Sequence, residues 1–308
     1  MSQKSIAILT LNPGFDRTVY LEGRFTPGGY NRAERTVVSQ GSKGANQAIL
    51  LSNIGKRVDY FSFGERDPFL MRDGIVSHLT PCRAKARVNL KLVESDGRGS
   101  EINEPGGPIE KGELDALAAA LLERKYDVVC LCGSFPQGVE SDVYKSLITR
   151  LREKGSVTVL DASGEALRLG VTARPTVIKP NRQELAELGF GFPHTVKDAL
   201  EICGKVKERF GCDVLCTLDA DGSVFVGREG AYRITAEPER IRSFCAAGDS
   251  YLAAYTAARY LDGLSVEEAL VSGTAAAVAK IARLGTEIPT AEAIDAAKAG
   301  VRIEKITL

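Results

Sequence analysis

Tyr126-Asp-Val-Val-Cys-Leu-Cys132 is followed by a helix-like stretch from Ser141 to Lys154, then by Ser156-Val-Thr-Val-Leu-Asp161. Both flanking runs are apolar almost throughout rather than alternating, as expected of strands covered on both faces. Gly133 and Gly155 mark the element ends. Strand, helix and strand at this spacing predict a right-handed crossover and a parallel sheet.

The same rhythm extends in both directions. Ser5–Leu11, Arg57–Phe63, Thr176–Lys179 and Asp213–Leu218 read as further strands. Ala45–Ile54, Lys111–Arg124 and Thr195–Phe210 read as helices. The C-terminal third reads as mostly helical: Ala246–Tyr260, Ser265–Arg283 and Ala291–Ala299. Ser265 and Glu268 have the spacing of a capping box. Two stretches break the rhythm by alternating polar and apolar residues: 17–40, and the hairpin formed by 86–94 and 100–103. Alternation predicts one wet face, hence a second, antiparallel sheet lying as a lid beside the α/β core.

Composition narrows the function. The 308 residues carry 40 basic and 40 acidic side chains. A zero net charge offers no global field for nucleic acid or anionic membrane. No apolar run approaches the roughly 18 residues of a spanning helix. The start lacks the apolar stretch of a signal peptide, so a cytoplasmic protein is expected. The seven cysteines include no C-x-x-C pair, and His78 and His194 are the only histidines. That argues against a zinc site and against cysteine–histidine catalysis. The cysteines read as small apolar filler in a reducing compartment, and both histidines as surface or loop residues.

Three segments carry candidate chemistry. Gly41-Ser-Lys-Gly-Ala-Asn46 opens an apolar helix, where free amides and a lysine suit an anion or hydroxyls; a plain helix-entry loop fits equally. Cys245-Ala-Ala-Gly-Asp-Ser250 opens another. Its amides suit a transferring phosphoryl group, and Asp249 either takes a proton from a hydroxyl or caps the helix. A helix start is expected to lower the Asp249 pKa and make it a weak base. Asn181 and Glu184 follow an apolar strand, three apart, as outer ligands of a hydrated Mg2+, as a capping box, or as both.

Taken with Thr10-Leu-Asn-Pro-Gly-Phe-Asp16, Pro27–Arg32, Ala86-Arg-Val-Asn-Leu-Lys91, Glu101–Asn103, Cys132–Gly138 and Leu218–Gly222, these segments resemble the ribokinase-like (PfkB) family of carbohydrate kinases. The likeness is strongest to its phosphosugar branch, the 1-phosphofructokinases and tagatose-6-phosphate kinases. It runs from Leu9 to about Pro289. The resemblance implies an α/β fold with a three-layer core, a mostly parallel sheet, and a small antiparallel β lid inserted at about 12–40 and 84–106. It implies ATP- and Mg2+-dependent phosphorylation of a ketohexose monophosphate, fructose 1-phosphate first, tagatose 6-phosphate second and fructose 6-phosphate third. Asp249 would be the base, with the amides of Ala246, Ala247 and Gly248 as anion hole. Asp16, Gly41, Ser42, Lys43 and Asn46 would face the sugar, and Asn103 would reach it from the lid. Arg87, with Lys43 and Lys91, would hold the existing phosphate. Lys179, Thr217, Gly222 and Gly285 would line the nucleotide cleft, and Asn181 and Glu184 would support the metal. A homodimer through the lid is also implied.

Arg87 and Lys91 stand four apart on an alternating strand and so share a face, which independently suits an anionic substrate; solvated edge charges are the alternative. Ser42, Ala246 and Asp219 stand where the family pattern has glycine, and Gly64-Glu-Arg-Asp67 replaces Gly-Gly-Asp. A non-catalytic phosphosugar sensor is the competing class, supported by those departures. If φ at Ala246 is positive, its methyl strains or narrows the anion hole.

Overall fold

The computed structural model describes residues 4–307. Its strands are β1 Ile6–Thr10, β2 Gly14–Leu21, β3 Ala33–Gln40, β4 Val58–Phe63, β5 Ile75–Thr80, β6 Arg87–Val93, β7 Gly99–Asn103, β8 Val128–Cys132, β9 Val157–Asp161, β10 Val177–Ile178, β11 Asp213–Thr217, β12 Ser223–Gly227, β13 Gly230–Ala236 and β14 Val301–Ile306. Its helices are α1 Lys43–Asn53, α2 Lys111–Leu122, α3 Val143–Glu153, α4 Gly164–Gly170, α5 Arg182–Leu185, α6 Val196–Phe210, α7 Ala247–Thr256, α8 Val266–Ile281 and α9 Ala291–Ala297.

Ten strands form one sheet in the order β14-β13-β12-β11-β10-β9-β8-β1-β4-β5. From β11 to β5 every pairing is parallel, and β12, β13 and β14 add antiparallel strands at the other edge. β1 lies between β4 and β8, so successive crossovers leave it on opposite sides. That strand reversal opens a crevice beyond the carboxyl ends of the central strands.

The apolar strands explain the layering. Ala7 and Leu9 point to one face, where they pack with Leu117, Tyr144, Ile148 and Val206 of α2, α3 and α6. Ile6 and Ile8 point to the other, against Ala45, Leu50, Leu252, Tyr255 and Leu270 of α1, α7 and α8. Burial on both faces is why these strands lack alternation.

The second sheet has the order β3-β2-β6-β7. Each hairpin is antiparallel as expected, but β2 and β6 pair in parallel at the centre, with Asp16 beside Asn89. Two hairpins inserted at different points of the chain therefore meet in one sheet, a pairing that no local pattern announces.

Three expectations change. The C-terminal third is not only helical, since β14 pairs along the length of β13. The edge strand β5 and the hairpin β12–β13 were not anticipated from the apolar runs. His78 is in an edge strand rather than a loop, and it is partly exposed. It lies on β5, stacks on Phe61 with ring centroids 4.5 Å apart, and its Nε2 is 2.5 Å from Asp59 Oδ1. His194 is in an exposed loop.

Candidate active site between the two sheets

Two cavities meet in the crevice. One, of about 520 Å³, lies between the small sheet and the core and is lined by Asp16, Arg87, Asn89, Lys91, Glu101 and Asn103 on one side and by Ser42, Asn46 and Cys245 on the other. The second, of about 460 Å³, lies over β11, α7 and α8 and is lined by Lys179, Thr217, Gly222, Ala247, Gly248 and Val278, among others. Lys43, Asn181, Ala246 and Asp249 line both. A group passing between the cavities would pass these four residues.

Asp249 is in the first turn of α7 and is buried. Asn46 Nδ2, from the first turn of α1, donates to its Oδ2 at 2.8 Å. No side chain caps α7, so the helix-cap reading of Asp249 does not hold. The expected low pKa is also overturned. Burial, and then the charge of Asp161, push Asp249 up to about 6, although Lys43, Asn46 and Lys179 pull the other way. Desolvation of a carboxylate outweighs the favourable helix end.

Asp161 is the site residue that sequence reasoning missed. It ends β9, fully buried, and accepts from Lys43 Nζ at 3.0 Å and Gln47 Nε2 at 3.0 Å, with Lys179 Nζ at 3.5 Å. Burial alone would raise its pKa, but the two ammoniums hold it below the ordinary carboxylate range. The one available signal was an acidic residue closing an otherwise apolar strand. Lys43 also contacts Glu184 Oε1 at 3.0 Å. Burial opposes its charge, while Asp161, Glu184 and Asp249 more than offset that and raise its pKa.

The small sheet brings Arg87, Asn89 and Lys91 to one face, as their alternation requires. Lys91 Nζ is 2.6 Å from Asp16 Oδ2, and Asn89 Nδ2 donates to Asp16 Oδ1 at 2.9 Å. Lys91 also donates to Cys245 Sγ at 3.1 Å. Lys43 and Lys91 are thus committed to carboxylates, which corrects the expectation of three available cations. Arg87 has no ion-pair partner among the described residues, and its Nε is buried without a hydrogen bond. Asn89 and Glu101 line the cavity without having been assigned a role. The i, i+2, i+4 alternation with Arg87 and Lys91 marked Asn89. Asn103 pairs with Asn89 across the β6–β7 hairpin and lines the cavity. A Cβ on Gly41 would come within 2.5 Å of Asp16 Oδ1, so that approach needs glycine.

Ser42 is buried at the N-cap of α1, and its hydroxyl donates to Gln40 Oε1 at 3.1 Å rather than capping. Gln40 Nε2 donates to Asp67 Oδ2 at 2.8 Å. The departures at 42 and 64–67 therefore belong to one hydrogen-bonded chain beside the cavity.

In the second cavity, Lys179, Thr217 and Gly222 come together, with Gly248 packed beside the Lys179 ammonium. Gly222 has φ +87°, and a Cβ there would collide with the Ile234 carbonyl oxygen. Asp219 is left-handed at φ +52°. Gly285 is not in this cavity, contrary to expectation. Its carbonyl is turned inward to accept from Lys280 Nζ and Ser243 Oγ, and the residue lines a separate hollow with Thr18 and Tyr20. Ala246 has φ +60°, so a left-handed alanine precedes the α7 amides. Asn181 and Glu184 form the reciprocal capping box: Glu184 N donates to Asn181 Oδ1 at 2.8 Å, and Asn181 N donates to Glu184 Oε2 at 2.9 Å.

Comparison with known proteins bears on the family and the fold. The pattern of the pfkB family carbohydrate kinases matches residues 10–293. A 1-phosphofructokinase of Rhodobacter capsulatus is 30% identical over 316 residues, covering 98% of each chain. A 1-phosphofructokinase of Bacillus subtilis is 30% identical, covering 92% of this chain and 95% of the relative. Phosphofructokinase-2 from Escherichia coli, solved in complex with substrates and products, superimposes with a TM-score of 0.89 at 23% identity, over 96% of this chain and 98% of that one. Ribokinase from Thermotoga maritima superimposes with a TM-score of 0.76 at 22% identity, over 96% and 99%. These structural neighbours speak to the fold.

Proposed function

The chain belongs to the pfkB family of carbohydrate kinases, and we propose that it transfers the γ-phosphoryl group of ATP to fructose 1-phosphate, giving fructose 1,6-bisphosphate. The observation that carries this reading is the position of Asp249: a buried carboxylate with a raised pKa, where a cavity bearing Arg87 meets a cavity beside the α7 amides. The curated relatives named 1-phosphofructokinase support the choice of sugar.

In this reading the phosphosugar occupies the cavity under the small sheet, which acts as a lid formed by about 12–40 and 84–106. Arg87 holds the existing phosphate as a bidentate guanidinium, the one cation there with no carboxylate of its own. Asp16, Gly41, Ser42, Asn46 and Asn103 orient the hydroxyls, and Asn89 adds a buried Oδ1 that has no hydrogen bond. Asp16 is held by Lys91, so Lys91 acts through it. The attacking hydroxyl gives its proton to Asp249, whose raised pKa suits a base near neutral pH. The amides of Ala246, Ala247 and Gly248 receive the charge that develops on the transferring group. Lys179, Thr217 and Gly222 line the nucleotide side. Lys43, fixed by Asp161 and Glu184, places an ammonium between the two reactants.

Mg2+ would neutralise phosphate charge and fix its geometry. Each Glu184 oxygen already accepts from Lys43 or the Asn181 amide, and Asn181 Oδ1 from the Glu184 amide. Each keeps a further lone pair, so Asn181 and Glu184 fit a hydrated cation through its waters, which Mg2+ retains readily.

A cytoplasmic homodimer is part of the proposal. No helix of the described residues is long and apolar enough to cross a membrane. All seven cysteines are free thiols. Val38 and Ile102 lie on the lid face turned away from the cavity and are exposed, an apolar surface that pairing would cover. A coupled ADP-release assay over fructose 1-phosphate, tagatose 6-phosphate, fructose 6-phosphate and free fructose tests the reaction. Fructose 1-phosphate should give the highest kcat/KM. Turnover of free fructose alone would overturn the phosphosugar assignment.

A further inference from the structure

Lys280 is the buried titratable group that this mechanism does not use. It lies in the last turn of α8, fully buried, and its Nζ has one hydrogen-bond partner, the Gly285 carbonyl at 2.9 Å. No carboxylate lies within ion-pair distance among the described residues. A buried ammonium without a carboxylate is costly. Its surroundings indicate what it holds in place.

Gly285 O also accepts from Ser243 Oγ at 3.1 Å. The Cys245 amide donates in turn to Ser243 Oγ at 3.3 Å. Arg242 N and Ser243 N both donate to Ile281 O, at 2.7 and 3.2 Å. The turn 242–245, which delivers the chain into left-handed Ala246 and the start of α7, therefore hangs from the carbonyls at the end of α8. The helix end and the inward-turned Gly285 carbonyl concentrate negative charge there. A cation is what that place lacks, and Lys280 supplies it.

We propose that Lys280 is a positioning residue, an internal cation that clamps the loop after α8 to the 242–245 turn and so sets the α7 amides and Asp249 in place. The groups facing it are the Cys245 thiol from the turn, Glu287 from the following loop, Lys91 from β6, and Arg283 one turn on. Burial lowers its pKa to about 8; Cys245 and Glu287 oppose that, while Lys91 and Arg283 add to it. The clamp therefore loosens as pH rises through about 8, while the carboxylate base stays charged.

The inference rests on the kinase reading for its kinetic arm only, and a second arm does not need activity. Lys280→Met keeps the length and volume of the side chain and removes the charge. Its kcat on the phosphosugar should fall roughly tenfold or more with KM for both substrates within about threefold. The wild-type decline in kcat above about pH 8 should be absent in it. In Lys280→Ala, ammonium chloride at tens of millimolar should restore part of kcat, and choline chloride should not. Independently of turnover, amide exchange of 242–249 should quicken in Lys280→Met while the central strands stay unchanged, and ammonium should slow it again in Lys280→Ala. Unchanged exchange at 242–249 overturns the proposal whatever the substrate. So does quickening spread evenly over the core, which would mark a general packing role. An inactive wild type with the predicted exchange pattern instead overturns the kinase reading and leaves the clamp standing.

Discussion

The side-chain amide of Asn46 donates to the Asp249 carboxylate at 2.8 Å across 203 residues of sequence, tying the first turn of α1 to the first turn of α7. Both helices start at the carboxyl ends of the strands, where β1 divides the sheet. The base and its orienting amide thus share the floor of one crevice.

Asp249→Asn should lower kcat by about 10²–10⁴-fold, the usual worth of a positioned general base. The isosteric amide still reaches Asn46, so KM for both substrates should change by less than about threefold. Steady-state kinetics checks this. A kcat within about tenfold of wild type would remove Asp249 from the proton transfer.

The pH dependence follows from the same carboxyl. Its folded pKa, about 6, lies above the ordinary aspartate value of 3.8, so the folded protein binds that proton more tightly than the unfolded chain. The resulting stabilisation is full below 3.8 and is lost as pH rises through about 6. Activity moves oppositely, with kcat rising through about 6 as the base ionises. Asp249→Asn should therefore melt higher than wild type at pH 7, with the gap closing toward pH 4. Thermal melts across that range, beside a kcat–pH profile, test both signs.

Asp161→Asn should be more damaging to folding than any substitution at the lid. It leaves the Lys43 and Lys179 ammoniums beside a neutral amide in a buried place, a loss on the order of 3 kcal/mol. Denaturant titration measures it. Activity should fall too, because Lys43 loses one of its two fixed anions. Unchanged stability would mean that solvent reaches the pair.

Arg87→Ala should raise KM for the phosphosugar roughly 10–100-fold, the worth of charge-assisted hydrogen bonds to one phosphate. KM for ATP should stay near wild type, since Arg87 does not line the second cavity. Arg87→Lys should recover little, because an ammonium lacks the planar fork. Substrate kinetics on the two variants and the wild type decides it.

Ala246→Gly tests the departure from the family's glycine. Left-handed alanine costs roughly 1–2 kcal/mol, and glycine returns about 0.4–1 kcal/mol of that by loosening the unfolded chain. The net change should lie between none and about 1.6 kcal/mol more stable. Paired thermal melts measure it. A clear loss of stability would show that the methyl makes a contact that outweighs the strain.

The parallel core was legible because burial on both faces imposes unbroken apolar runs, as in Ser156–Asp161. The hairpin of β6 and β7 was legible because one wet face imposes alternation. The caps at Ser265 and Asn181 were legible because four consecutive residues suffice to define them. β14 was not, since an antiparallel edge strand takes its pairing from a partner far along the chain, here β13. Asp161 was not, because nothing in Val-Thr-Val-Leu-Asp says which lysines arrive beside it.

The sequence by itself determined the layers of the fold and which segments carry chemistry, because periodicity, caps and motif order are local properties of the chain. Only the tertiary structure decided which charges are spoken for. Lys43 and Lys91 are engaged by Asp161, Glu184 and Asp16 from distant elements, and Arg87 is not. It also decided that Asp249 has a raised pKa rather than a lowered one. A pKa depends on burial and on every charge within a few ångströms, and the chain's order does not contain those distances.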